Sequence, residues 1–173
     1  MNAPPPLRIP VGVVVERRKA NSAWIGLLWR PVAVLAGLPD AAAWTPLAQN
    51  GDTVTYYAGP AEIELYRSEA DNYRRNLMAE SPSIWVALQA IEGEPPYQIA
   101  AVTADPAEGE GLTEPGQAIV EAVAMPESVR EAIAAFLAQC PVEKAFIKRK
   151  RDRADPEAMA RHVPLARRAY GSR

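Results

Sequence analysis

Seventeen prolines punctuate the chain, many of them single and set between apolar runs. Proline locks its own φ, lacks a backbone donor and pushes the preceding residue away from helix. Such spacing favours short elements and many turns. Between the prolines the apolar runs have β character. Val11-Gly12-Val13-Val14-Val15-Glu16-Arg17-Arg18 is a β-branched run meeting a charged edge, which predicts a first strand after a loose lead over 1–8. The apolar run from Trp24 to Leu35 predicts a second, with Lys19-Ala20-Asn21-Ser22 as the turn. Pro31 requires this strand to bend or to lie at a sheet edge. Residues 40–52 read as a connecting loop.

Thr53 to Ala58 begins a third strand, and Gly59-Pro60 interrupts it. From Ala61 to Arg67 apolar and polar residues alternate, with Ile63 and Leu65 on one face and Glu62, Glu64 and Tyr66 on the other. That is the period of a half-buried strand. Asn72 to Leu77 is read as its antiparallel return, which would bring Arg74 and Arg75 beside Glu62 and Glu64. Strands follow over 83–91, 97–103 and 118–124, with a Gly- and Glu-rich flexible surface loop between 105 and 116. Met125-Pro126-Glu127 opens a helix. Val129, Ile133, Phe136, Leu137 and Cys140 recur at helical spacing, and burying the four bulky ones contributes about 1.5–3 kcal/mol each before entropy is charged. Pro141 ends it. Asp155-Pro156-Glu157 marks a second, short helix start. The expected fold is α+β. It has a mostly antiparallel sheet or partly closed barrel of about seven strands, one packing helix, and a basic C-terminal helical tail. A single domain spans 9–143 and the tail 144–173.

Several chemistries lack their residues. One cysteine excludes an intrachain disulfide, and one histidine removes most zinc and iron chemistry. Cys140, at the end of the predicted helix, reads as a structural thiol. Gly109-Glu110-Gly111 is flanked by acids that would repel a phosphate. His162 lies in the tail with no nucleophile elbow to serve. Glu62 and Glu64 read as a solvated strand face, and the acids of 105–114 do not match a calcium loop. No catalytic, cofactor-binding or metal-binding residue is assigned, and no cofactor is expected. The proline-rich start is not a signal peptide, and no window approaches the roughly 18 apolar residues of a membrane span. The expectation is a cytoplasmic protein with no membrane partner.

The charge is unevenly placed. Residues 144–173 hold 10 Lys and Arg against 3 Asp and Glu, a local charge of +7, while the preceding 143 residues carry −9. Such asymmetry points to a tail that binds something. Phe146 and Ile147 offer an apolar anchor. Lys148, Arg149, Lys150, Arg151 and Arg153 form a basic stripe, and Asp155-Pro156 caps a helix that orders on contact. This pattern suits docking on an acidic protein surface. The alternatives are a merely solvated charged tail, the usual role of a charge run, and nucleic acid, bound through counterion release from phosphates. Against nucleic acid stand the acidic body and the lack of interleaved aromatic residues. Trp24 and Trp29 differ by an odd number, so a regular strand would present one of them beside Arg17 and Arg18 as a second surface. A weaker reading is a cofactor-handling enzyme with a pocket walled by Trp24, Trp85, Arg17 and Arg74.

These segments together resemble an uncharacterised bacterial domain-of-unknown-function family, DUF3305. The resemblance runs through Val11–Arg18, Trp24, and Trp29-Arg30-Pro31-Val32-Ala33-Val34-Leu35. It continues in Leu65–Tyr73, Pro82-Ser83-Ile84-Trp85-Val86, Val123-Ala124-Met125-Pro126 and Phe146–Arg153. It implies a companion of molybdenum-dependent formate dehydrogenases, encoded beside them, whose partner is the dehydrogenase or its maturation factors. Some members carry a molybdopterin-guanine-dinucleotide biosynthesis label. Such a nucleotidyltransferase needs a glycine-rich nucleotide loop and metal-binding acids on a doubly wound sheet, and this chain has neither.

Overall fold

A computed structural model describes residues 4–113 and 118–142. Seven strands form two antiparallel sheets. The first contains β1 (Leu7–Lys19), β2 (Leu27–Ala36), β3 (Thr45–Asn50) and β4 (Thr53–Leu65) in the order β2-β1-β4-β3. The second contains β5 (Ser83–Ala90), β6 (Tyr97–Thr103) and β7 (Ala118–Ala124) in the order β6-β5-β7. Helices α1 (Ala70–Met78), α2 (Pro106–Gly111) and α3 (Glu127–Ala138) complete the described residues. The basic segment from Phe146 to Pro156, with its expected helix, lies outside them.

The β-branched run of β1 sits in the middle of the first sheet, and Val11, Val13 and Val15 are fully buried. They share one core with Ile63 and Leu65 of β4, Ile84, Val86 and Leu88 of β5, and the Val129, Ile133, Phe136 face of α3. Cys140 is buried, and its thiol donates to the Phe136 carbonyl. Four of the five strand pairs carry a bulge, leaving Val32, Leu47, Ala58 and Ala100 unpaired. Bulges raise local twist and bend a strand. The sheets curl until β2 approaches β7 and β4 approaches β6, yet the ladders stay separate. The architecture is therefore two open sheets, not a closed barrel.

Four local expectations are corrected. Asn72–Leu77 is not a strand but part of α1, whose buried face is Ala70, Tyr73 and Asn76. A polar Asn on that face hid its spacing of three. Glu62 and Glu64 consequently pair with Arg8 of β1, at 3.7 and 3.1 Å, rather than with Arg74 and Arg75. β4 runs through Gly59-Pro60 as one strand: Gly59, at φ 136°, follows the bulge at Ala58 and lets β4 bend without breaking. Segment 40–52 contains β3, an exposed edge strand with no buried alternation to reveal it. The supposed loop after 105 holds α2, capped by the Asp105 carboxylate, which accepts from the Ala107 and Glu108 amides. β2 is an edge strand with a bulge beside Pro31, as that proline requires.

Candidate interaction surface

β1 ends in Arg17, Arg18 and Lys19, and β2 returns antiparallel from Leu27. The amide of Ala20 donates to the Gly26 carbonyl at 3.2 Å and closes the hairpin loop. At its tip Trp24 is 96% exposed, with Ile25, Leu27 and Leu28 also open to solvent. Single exposed apolar residues are ordinary, but a contiguous set marks a contact surface. The Trp24 amide donates to the Ser22 hydroxyl at 3.3 Å, a short-range bond that shapes the loop without covering the indole.

Below the tip the strands are aromatic. Trp29 pairs across the ladder with Arg17 and is only 8% exposed. Its ring stacks on Tyr56 (5.8 Å, 26°), meets Trp44 edge-on (5.9 Å, 85°) and lies 5.9 Å from Tyr97. Trp44 holds a positive φ of 65°, a conformation costing a non-glycine residue about 1–3 kcal/mol. Its amide donates to the Tyr57 carbonyl, and its ring contacts with Trp29 and Tyr56 hold it in place. The Arg17 guanidinium sits 5.7 Å from the Trp29 centroid and 5.4 Å from that of Tyr56. Both distances lie within the range of a cation–π contact. Arg17, Lys19, Gly26 and Leu27, with Gln49, Asp52 and Val54 from the β3–β4 turn region, line a hollow of about 330 Å³.

The sequence-nominated residues are thus separated by depth. Trp24 is the exposed one, because the strand starts at Leu27 and the parity argument does not reach it. Trp29 is a buried partner of Arg17. Arg18 faces solvent opposite Leu28. Tyr56, Trp44, Tyr97 and Lys19 join the region without any signal in the linear pattern; only their convergence from three strands and the loop before β3 reveals them. The four residues of the supposed enzyme pocket do not gather. Trp85 lies under α2, so close that a Cβ on Gly109 would stand 2.2 Å from its Cγ. Arg74 donates to the Cys140 carbonyl at 2.8 Å and pairs with Asp71 at 2.6 Å.

A second concavity, about 370 Å³, opens beside β4 and β6 and is lined by Glu62, Glu64, Tyr66, Thr103 and Glu108. Its polar groups engage one another. Tyr66 donates to Glu64 at 2.6 Å, and Thr103 donates to Glu108 at 2.6 Å. The bond to Glu64 raises the Tyr66 pKa above the ordinary phenol value. Behind it, burial pushes the Tyr73 pKa up to about 12, and the Tyr73 oxygen accepts from the Tyr66 amide. Among the described residues no group of three or more His, Cys, Asp or Glu is arranged to hold a metal ion. No described helix is long and apolar enough to cross a membrane.

No curated protein and no solved structure matches the chain. A family model described as "Protein of unknown function (DUF3305)" matches residues 10–151, which takes in both sheets, all three helices and the first part of the basic run. The chain belongs to the DUF3305 family.

Proposed function

We propose that this chain is a non-catalytic accessory protein that supports the assembly or activity of a molybdenum-dependent formate dehydrogenase. Its basic tail is the principal contact and the β1–β2 hairpin a second one. The observation that carries the interaction reading is the hairpin tip. Trp24 stands almost fully in solvent beside Ile25, Leu27 and Leu28, and next to three consecutive cations. Exposed tryptophan with neighbouring arginine is the composition of binding hot spots. The molybdenum-enzyme partner is supported by the family resemblance in Val11–Arg18, Leu65–Tyr73 and Phe146–Arg153.

The test is affinity capture from native cell extract with the full chain beside one ending at Glu143. Recovery of a molybdenum dehydrogenase or its maturation factor by the full chain alone supports the proposal. Equal recovery by both would sink it. Nucleic acid remains the rival for the same tail, because of the run from Lys148 to Arg153. It predicts an affinity that falls about 10³-fold or more between about 50 and 200 mM salt if about six phosphates are contacted.

A further inference from the structure

The described cations divide unevenly. Arg8, Arg30 and Arg130 pair with carboxylates, and Arg67, Arg74 and Arg75 donate to backbone or side-chain oxygens. Among the described residues, Arg17, Arg18 and Lys19 alone have neither kind of partner. Two of these three, Arg17 and Lys19, line the same hollow. Arg17 is half-buried there, and the Trp29 and Tyr56 rings beside its guanidinium restrict the side chain. A guanidinium carries its N–H donors as a planar fork, which matches a two-oxygen anion.

The surroundings narrow the anion. Leu27 and Val54 give the hollow apolar walls, Gln49 adds an amide, and Asp52 places one negative charge on the rim. That charge disfavours a doubly charged phosphate and leaves room for a single carboxylate. The net charge of −9 on the first 143 residues likewise opposes a polyanionic surface. Trp24 and Ile25, which immediately precede the lining residues Gly26 and Leu27 in the chain, are exposed and apolar. An acidic side chain flanked by apolar ones complements both features at once.

We propose that the hollow between the β1–β2 hairpin and the β3–β4 turn is a carboxylate-binding site. It receives an acidic side chain of a partner protein whose flanking apolar residues lie along Trp24 and Ile25. This rests on the reading of the chain as an interaction protein, but not on the tail being the contact.

The test uses the full-length ¹⁵N-labelled chain and two probes, N-acetyl-Leu-Glu-Leu amide and its Gln counterpart. The Glu probe shifts the Arg17 Nε–Hε resonance and the Trp24 indole resonance, and binds about tenfold more tightly than the Gln probe, the scale of one charge-assisted hydrogen bond. Lys19→Gln, at an exposed position, weakens the Glu probe and leaves the rest of the spectrum unchanged. Arg17→Lys keeps the charge, loses the fork and weakens it further. Equal binding of the two probes, or no shift at millimolar Glu probe, overturns the proposal. So does inorganic phosphate or phosphatidylserine vesicles shifting Arg17 more strongly than the Glu probe. The capture experiment fails separately. Loss of tail-dependent capture with probe binding intact removes the function proposed above and leaves the hollow standing. Capture that persists while the probes fail removes only the hollow.

Discussion

The two ends of this molecule use polar residues in opposite ways. Around α1 and α2 nearly every polar side chain is committed to folding. Asn76, 4% exposed, donates to the Ser83 and Ala104 carbonyls at 2.8 Å each and accepts from the Ser83 amide at 3.0 Å. Asp105 caps α2 and also accepts from Asn72 at 2.9 Å. Arg67 and Arg74 reach the last carbonyls of the α3 end at 3.0 and 2.8 Å, where cations complement the helix dipole. No buried side-chain nitrogen or oxygen lacks a partner among the described residues. Toward the tip of the β1–β2 hairpin, Arg17, Arg18 and Lys19 have no carboxylate partner among the described residues, and the Trp24 side chain is in water. A fold that satisfies its interior so fully has no structural use for Trp24, Arg18 or Lys19, which is why that end reads as a contact surface.

The contrast can be broken most forcefully at Asn76. Asn76→Ala strands two carbonyls and an amide and is expected to cost about 3 kcal/mol in denaturant unfolding. A cost under about 1 kcal/mol would mean that the network is not structural. Next comes Gly109→Ala. Its methyl would meet the Trp85 ring, so a loss of about 2 kcal/mol and an altered tryptophan emission are expected. An unchanged midpoint would show that α2 is not seated on that ring. The pH response is smaller and confined to high pH. Tyr73 has a folded pKa of about 12 against an ordinary 10.0, so its neutral form stabilises the fold fully below about pH 10. That contribution is lost as pH rises through about 12. The denaturant midpoint should fall across this window, and Tyr73→Phe should flatten the fall. The smallest stability effect belongs to the other end: Trp24→Ala should move the unfolding free energy by no more than about 0.5 kcal/mol. Partner capture should weaken in the same variant. A Trp24→Ala chain that unfolds early would erase the distinction between the two ends.

Where side chains repeat at a simple period, the linear pattern was sufficient. The valines of β1, the alternation of Ile63 and Leu65, and the Val129–Ile133–Phe136 stripe of α3 were all legible, because burial on one face imposes the period of the element. Legibility failed where a polar residue occupies a buried position or an edge leaves everything exposed. Asn76 interrupted the apolar stripe of α1, so six residues with strand-like composition concealed a helix. β3 has no buried face, so nothing in Thr45–Asn50 distinguished it from a loop. Gly59-Pro60 interrupts the alternation, and a bulge with a positive φ makes that pair a bend within β4.

The candidate surface shows the same division. Composition and order were enough to put Arg17, Arg18, Trp24 and Trp29 together as a candidate second surface, to separate an acidic body from a basic tail, and to assign a β-rich class. They could not set which tryptophan is buried, because that depends on where the strand begins. Nor could they place Tyr56, Trp44 and Tyr97 around Trp29, residues that lie 27, 15 and 68 positions away in the chain. Local periodicity reports which face of an element meets an interior. Which elements meet there follows from strand order, bulges and the approach of two sheets, and these arise from contacts between distant segments that no short window of sequence contains.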